Sequence, residues 1–132
     1  MIEHKHVMVR ATVKNPPFEE HMDFMARWLA KLVSDLEMKI LAGPTFRYVH
    51  VPGNRGMTGF CIIETSHISM HIWDEEDPAV IQFDVYTCGK MDLGLVFKAL
   101  QEFNPVSIEY KYFDREHGLK QLDEGMLECL EA

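Results

Sequence analysis

The sequence predicts an α+β fold, a two-layer sandwich in which an antiparallel sheet carries two helices on one face. Three observations lead there. Apolar residues alternate over several short runs, the period of half-buried strands. Turn-rich segments join most of those runs directly, as hairpins do. Only two stretches repeat their apolar residues at helical spacing, so the order reads β-α-β-β-β-β-α-β. The 132 residues fit one domain, taken as 1–132.

The elements follow in order. "HVMVRATV" alternates and is valine-rich, so a strand is expected over about 5–13. In "NPPFEEHMDFMARWLAKLVSDLEMK", Asn15 suits a cap, Pro16 and Pro17 suit a first turn, and Glu19 and Glu20 favour a helix N-terminus. Phe18, Met22, Met25, Leu29, Leu32, Val33 and Leu36 then recur on one helical face, which is what a buried face produces. "AGPTFRYVHV" reads as a turn and a strand, and "PGNRGMTG" as a loop. That loop lacks the order of a phosphate-binding loop, and no helix follows it. "GFCIIETS", "HISMHIW" and "VIQFDVYTC" are strands. "MDLGLVFKALQEFNP" is a second helix ended at Asn104–Pro105, and "VSIEYKYF" is a last strand. The acidic tail "LKQLDEGMLECLE" is weakly amphipathic and is read as a helix available to a partner subunit.

Composition narrows function. The net charge of −8 argues against nucleic acid and anionic membranes, which need basic surface. No apolar run approaches the ~18 residues of a membrane span, and no secretory signal opens the chain, so a cytoplasmic location is expected. Cys61, Cys88 and Cys129 lack CxxC spacing and form neither a disulfide framework nor a zinc site.

The unusual stretch is "CIIETSHISMHIWDEE". With a period of two, His67, Ser69, His71 and Trp73 share one strand face, while Ile68, Met70 and Ile72 share the other. Gln82, Asp84, Tyr86 and Cys88 line up likewise on the next strand. A polar, titratable face therefore lies opposite the helix layer, and a second subunit is a natural cover for it. His67 and His71, four residues apart on a strand, stand roughly 13 Å apart and cannot share one metal ion, so no metal is expected. Ser66 and His67 are neighbours and should point to opposite faces, and no GxSxG elbow is present, which disfavours a hydrolase triad. Cys88 is placed to act as a thiol if a neighbour such as His71 lowers its pKa. An exposed sheet face and a subunit interface both remain compatible with this pattern.

The order "ETSHISMHIW" followed by "FDVYTCG" resembles the signature of prokaryotic S-adenosylmethionine decarboxylases. That signature has Glu-Ser-His, a variable pair, an apolar residue, then His with Trp two places on, and later Asp, two apolar or aromatic residues and Thr-Cys-Gly. The resemblance extends weakly over residues 5 to 113. It implies a proenzyme that cuts itself between Thr65 and Ser66 and turns Ser66 into a pyruvoyl group. This cofactor forms a Schiff base with the α-amine of S-adenosylmethionine and drives its decarboxylation for polyamine (spermidine) synthesis. It further implies that His71 assists processing as a base, that Thr58 helps the acyl shift, and that Cys88 reprotonates the product carbon. Tyr48 or Phe46 is implied to stack on adenine, with Glu64, His67 and Trp73 around the substrate. A homo-oligomer, dimer or higher, joined through sheet or edge, is expected. One departure is plain: Thr65 stands where the family usually has Glu, with Glu64 one place earlier. That change motivates one alternative, the same fold acting on arginine or ornithine; a second alternative is an uncleaved nucleoside-binding relative.

Overall fold

The structure, a computed structural model, describes residues 3–129. Seven strands, β1 (Lys5–Val13), β2 (Ile40–Val49), β3 (Gly56–Ile63), β4 (Ser66–Trp73), β5 (Ala79–Thr87), β6 (Pro105–Asp114) and β7 (Lys120–Glu128), form one sheet. Their order is β2-β3-β4-β5-β1-β6-β7, and every pairing is antiparallel. Helix α1 (Met22–Asp35) follows a 3-10 turn at Glu19–His21, and α2 (Leu93–Leu100) runs into another at Gln101–Phe103. The α+β sandwich expected from the alternating runs is the observed architecture.

The period-two pattern decides which side is core. Val7, Val9, Ala11 and Val13 of β1, Ile68, Met70 and Ile72 of β4, and Ile81, Phe83 and Val85 of β5 are all buried. Against this face pack Met25, Trp28, Leu29, Leu32 and Val33 of α1 and Val96 and Leu100 of α2. Trp28 sits between Phe83 and Phe103, with ring centroids at 5.7 and 5.3 Å, and its Nε1 donates to the Ala99 carbonyl at 2.9 Å. Its one polar atom is therefore satisfied inside the core.

Two expectations are corrected. The first helix begins at Met22, after the 3-10 turn at Glu19–His21 and beyond Asn15–Pro17, because the amides of Lys14 and Asn15 bond to the carbonyls of Asn104 and Phe103 and tie that segment to the turn before β6. The tail read as a helix is β7. Its residues 120–128 pair with β6 while staying almost wholly exposed, so backbone hydrogen bonds rather than a buried face hold it.

One backbone contact fixes how the loop after β2 meets β4. Gly56 has φ +148°, and a Cβ there would lie 1.7 Å from the Ile72 carbonyl oxygen. That neighbour is backbone within a paired strand and cannot step aside. Gly56→Ala is expected to lower stability by about 2–4 kcal/mol, measured by urea unfolding.

Candidate active site

The face opposite the helices carries the polar residues. In register, His67 lies opposite Tyr86, Ser69 opposite Asp84 and His71 opposite Gln82. β1 continues each row, placing His6 beside Tyr86 and Met8 beside Asp84. Asp84 is the hub of this face. It accepts from His6 Nε2 at 2.7 Å and from the Ser69 hydroxyl, and His67 Nε2 stands 3.7 Å away. Arg115 lies 4.0 Å over the Tyr86 ring, and its Nη1 is 3.4 Å from His6 Nδ1. Burial pushes the Asp84 carboxyl up, but the hydrogen bonds from His6 and Ser69 and the two nearby imidazoles outweigh it and hold the group below its usual range. The rings of His6 and His67 flank Tyr86 at 5.3 and 5.5 Å. His6 and Arg115 escaped the sequence reading because each stands alone in an ordinary stretch, and only strand order brings them to Tyr86.

One end of this face holds an unusual peptide bond. Glu64 and Thr65 form the turn between β3 and β4, and Ser66 begins β4 at φ +145°. A side-chain-bearing residue held there costs of the order of 1–3 kcal/mol, so its surroundings must hold it. The Thr65 carbonyl oxygen accepts from the Cys88 amide at 2.7 Å and faces the Cys88 thiol at 3.1 Å. Ser66 Oγ lies 3.5 Å from His67 Nδ1. The two neighbours thus do not point apart as simple alternation implied, because the unusual φ turns Ser66 out of the pleat. A carbonyl with two donors on its oxygen, next to a hydroxyl, is polarised for addition at its carbon.

The other expected residues are not gathered at that point. Thr58 Oγ1 meets His71 Nδ1 at 3.3 Å, but His71 is five residues along β4 from Ser66, roughly 16 Å at the usual strand rise. Cys88 follows Thr87, which pairs with Ser66, whereas His71 pairs with Gln82. Within one chain, therefore, His71 is not the neighbour of Cys88. Trp73 Nε1 donates to Asn54 Oδ1 at 2.8 Å, near His71. Phe46 is only 3% exposed and covers Gly59, so its ring offers no face to a ligand. Tyr48 donates to Asp74 Oδ2 at 2.6 Å, and Arg55 Nε donates to Asp74 Oδ1 at 2.7 Å. Burial, the hydrogen bond and the charge of Asp74 push the Tyr48 hydroxyl up to about 12, so it stays protonated and holds the loop before β3.

Two concavities border these groups. A groove of about 550 Å³ runs across the open face, lined among others by Met8, Arg10, Ser69, His71, Gln82 and Asp84. A cleft of about 340 Å³ lies at the Thr65 end and includes Lys39, Glu64, Gly89 and Lys90. Among the described residues one trio of metal-ligand type, Asp114, Glu116 and His117, has ligand atoms within 4.8 Å of one another, outside the expected site and half-buried or exposed. No helix among the described residues is long and apolar enough to cross a membrane.

Residues 5–116 match the protein family described as S-adenosylmethionine decarboxylase. The chain is similar to a protein from Clostridium botulinum named S-adenosylmethionine decarboxylase proenzyme, 37% identical over 71 residues, covering 54% of this chain and 56% of that one. It is also similar to the protein of that name from Pyrobaculum arsenaticum, 42% identical over 64 residues, covering 47% of this chain and 50% of that one. The matched segment thus spans about half the length of these curated relatives. The fold is similar to that of the adenosylmethionine decarboxylase from Aquifex aeolicus, with a TM-score of 0.63 at 20% identity over 92% of this chain and 98% of that one.

The Asp84 cluster generates a pH prediction. A carboxyl whose folded pKa is depressed stabilises fully above its ordinary value of 3.8, and the contribution is lost as pH falls through the lower folded value. Asp84→Asn is expected to cost about 1–2 kcal/mol at pH 7. The gap between the two proteins should close below pH 3.8, as read from urea unfolding across pH.

Proposed function

The chain belongs to the S-adenosylmethionine decarboxylase family, and from that premise we propose that it is a proenzyme that cuts itself between Thr65 and Ser66 and then decarboxylates S-adenosylmethionine for polyamine synthesis. The observation that carries this reading is the pair of Cys88 donors on the Thr65 carbonyl, beside a serine held at φ +145°.

The steps follow from that arrangement. Ser66 Oγ adds to the Thr65 carbonyl carbon, and the carbonyl electron pair moves onto the oxygen faced by the Cys88 amide and thiol. Breaking the C–N bond relieves the strained link, and the hydroxyl proton ends on the freed α-amine. The product is an ester of Thr65 on Ser66. Loss of the Ser66 Cα proton then expels the Thr65 carboxylate. The resulting dehydroalanine becomes an imine, and water releases ammonia to leave a pyruvoyl end. When present, that group supplies a ketone for the substrate's α-amine and accepts the electron pair left by carbon dioxide. The turn at Thr65 and the Cys88 segment fit it, because they already hold the atoms from which it forms. Cys88 remains beside that end and is placed to return a proton to carbon.

The Thr58–His71 pair lies too far along β4 to serve Ser66 of its own chain. It reaches a Ser66 only if two copies lay their open faces together. Met8, Phe60, Ile62 and Met126 stand 42–57% exposed on that face and favour such a cover. A homo-oligomer with sites shared between copies is therefore part of the proposal.

Intact mass is the first test. The chain should resolve into fragments 1–65 and 66–132, and Ser66→Ala should stay whole. A wild-type chain that stays whole while binding S-adenosylmethionine would instead mark an uncleaved binding relative. Carbon dioxide released from arginine or ornithine, and not from S-adenosylmethionine, would overturn the substrate. Sharing between copies is tested by mixing. His71→Ala alone should cleave at least about 100-fold more slowly, a loss typical of a general base. Refolding it together with Ser66→Ala should restore cleavage in the His71→Ala chains, whose Ser66 is intact.

A further inference from the structure

Behind the Cys88 contacts lies a buried hydroxyl that the reaction above does not use. Thr87 is fully buried. Its Oγ1 donates to Thr65 Oγ1 at 2.8 Å and accepts from the Gly89 amide at 2.9 Å. The Gly89 amide can only donate, so the Thr87 oxygen accepts there and its single proton is left for Thr65 Oγ1. Thr87 therefore ties the side chain of the residue before the scissile bond to the residue after Cys88. Between these two ties lie the Cys88 amide and thiol, both directed at the Thr65 carbonyl oxygen. The packing is close: a Cβ on Gly89 would stand 3.3 Å from Thr87 Oγ1 and 3.5 Å from Thr65 Cγ2.

We propose that Thr87 is a positioning residue for self-cleavage, acting through Thr65 and Gly89 to hold the scissile carbonyl against both Cys88 donors. The inference rests on the self-cleavage reading above and concerns its first step. There the Oγ–C bond forms, the C–N bond breaks, and the serine proton passes to the α-amine. Thr87 touches none of these atoms. Its contribution is geometric, since donors aimed at a developing oxyanion act only within a narrow range of distance. A buried threonine is a costly choice for packing alone, because an isosteric valine would fill the same volume with no hydroxyl to satisfy. Here the hydroxyl is satisfied on both sides, by the residue before the reacting bond and by the residue after Cys88.

The test compares Thr87→Val, which keeps the volume, with Thr87→Ser, which keeps the hydroxyl. Freshly translated chains are followed by intact mass. Thr87→Val is expected to slow cleavage at least about tenfold, and Thr87→Ser to stay within about threefold of wild type. A second readout uses the uncleavable Ser66→Ala chain, in which alkylation of Cys88 by iodoacetamide is measured by peptide mass. Thr87→Val should speed that alkylation, because the thiol is no longer held on the carbonyl, and Thr87→Ser should not. If wild type cleaves and Thr87→Val cleaves equally fast, the inference is overturned while the self-cleavage reading stands. Equal slowing by both variants, or Cys88 alkylation indifferent to Thr87→Val, overturns it as well. A wild-type chain that never cleaves overturns the self-cleavage reading itself, and the catalytic meaning of Thr87 with it.

Discussion

The register between β4 and β5 is the constraint on which both core and candidate site depend. Ile68 against Val85, Met70 against Phe83 and Ile72 against Ile81 place three consecutive apolar pairs under the helices. A slip of one residue would drive His67, Ser69 and His71 into that layer and expose the aliphatic side chains. The cost of burying those polar groups unpaired excludes it. The same register sets Ser66 opposite Thr87, and so brings the Cys88 segment to the Thr65 carbonyl. Core packing and the geometry around the Thr65–Ser66 bond are thus one specification.

Strain and hydrogen bonding meet at that bond with opposite signs. Ser66 occupies a backbone region that side-chain-bearing residues avoid, while the Cys88 amide and thiol and the Thr87 hydroxyl hold the turn around it. In the proposed reaction the strain is released when the C–N bond breaks, whereas the donors grip harder as charge builds on oxygen. Both changes lower the barrier relative to an ordinary peptide. At the far end of β4, the Thr58–His71 pair has no such bond beside it. In the proposed oligomer, pairing of two copies is what would bring these two clusters together.

Much of this was legible in the chain because strong periodicity leaves little choice. β1, β4 and β5 alternate between apolar and polar residues, and their faces emerged as the pattern dictates. Ser66 and Cys88 were legible through the motif. Their meeting at one carbonyl was not, since it depends on a positive φ that no pattern encodes. β7 was hidden because an exposed edge strand buries no face and so shows no period. His6 and Arg115 were hidden because β1 enters the middle of the sheet, between β5 and β6. Phe46 illustrates the converse error: an aromatic residue in a promising stretch fills the space above Gly59 rather than facing solvent.

The departure at Thr65 concerns side-chain atoms only. The proposed cleavage needs a carbonyl at 65 and a hydroxyl at 66, and the first is backbone. Replacing the side chain at 65 therefore removes no reacting atom. It changes what anchors the turn. In this chain the short Thr65 hydroxyl reaches the buried Thr87 hydroxyl at 2.8 Å, a bond that a longer carboxylate could make only by moving the turn or by accepting a buried charge. The threonine is thus consistent with a scissile bond secured from beneath, by a neutral contact within the sheet. Glu64 lies one position away on the cleft beside it, where a carboxylate can stay in water.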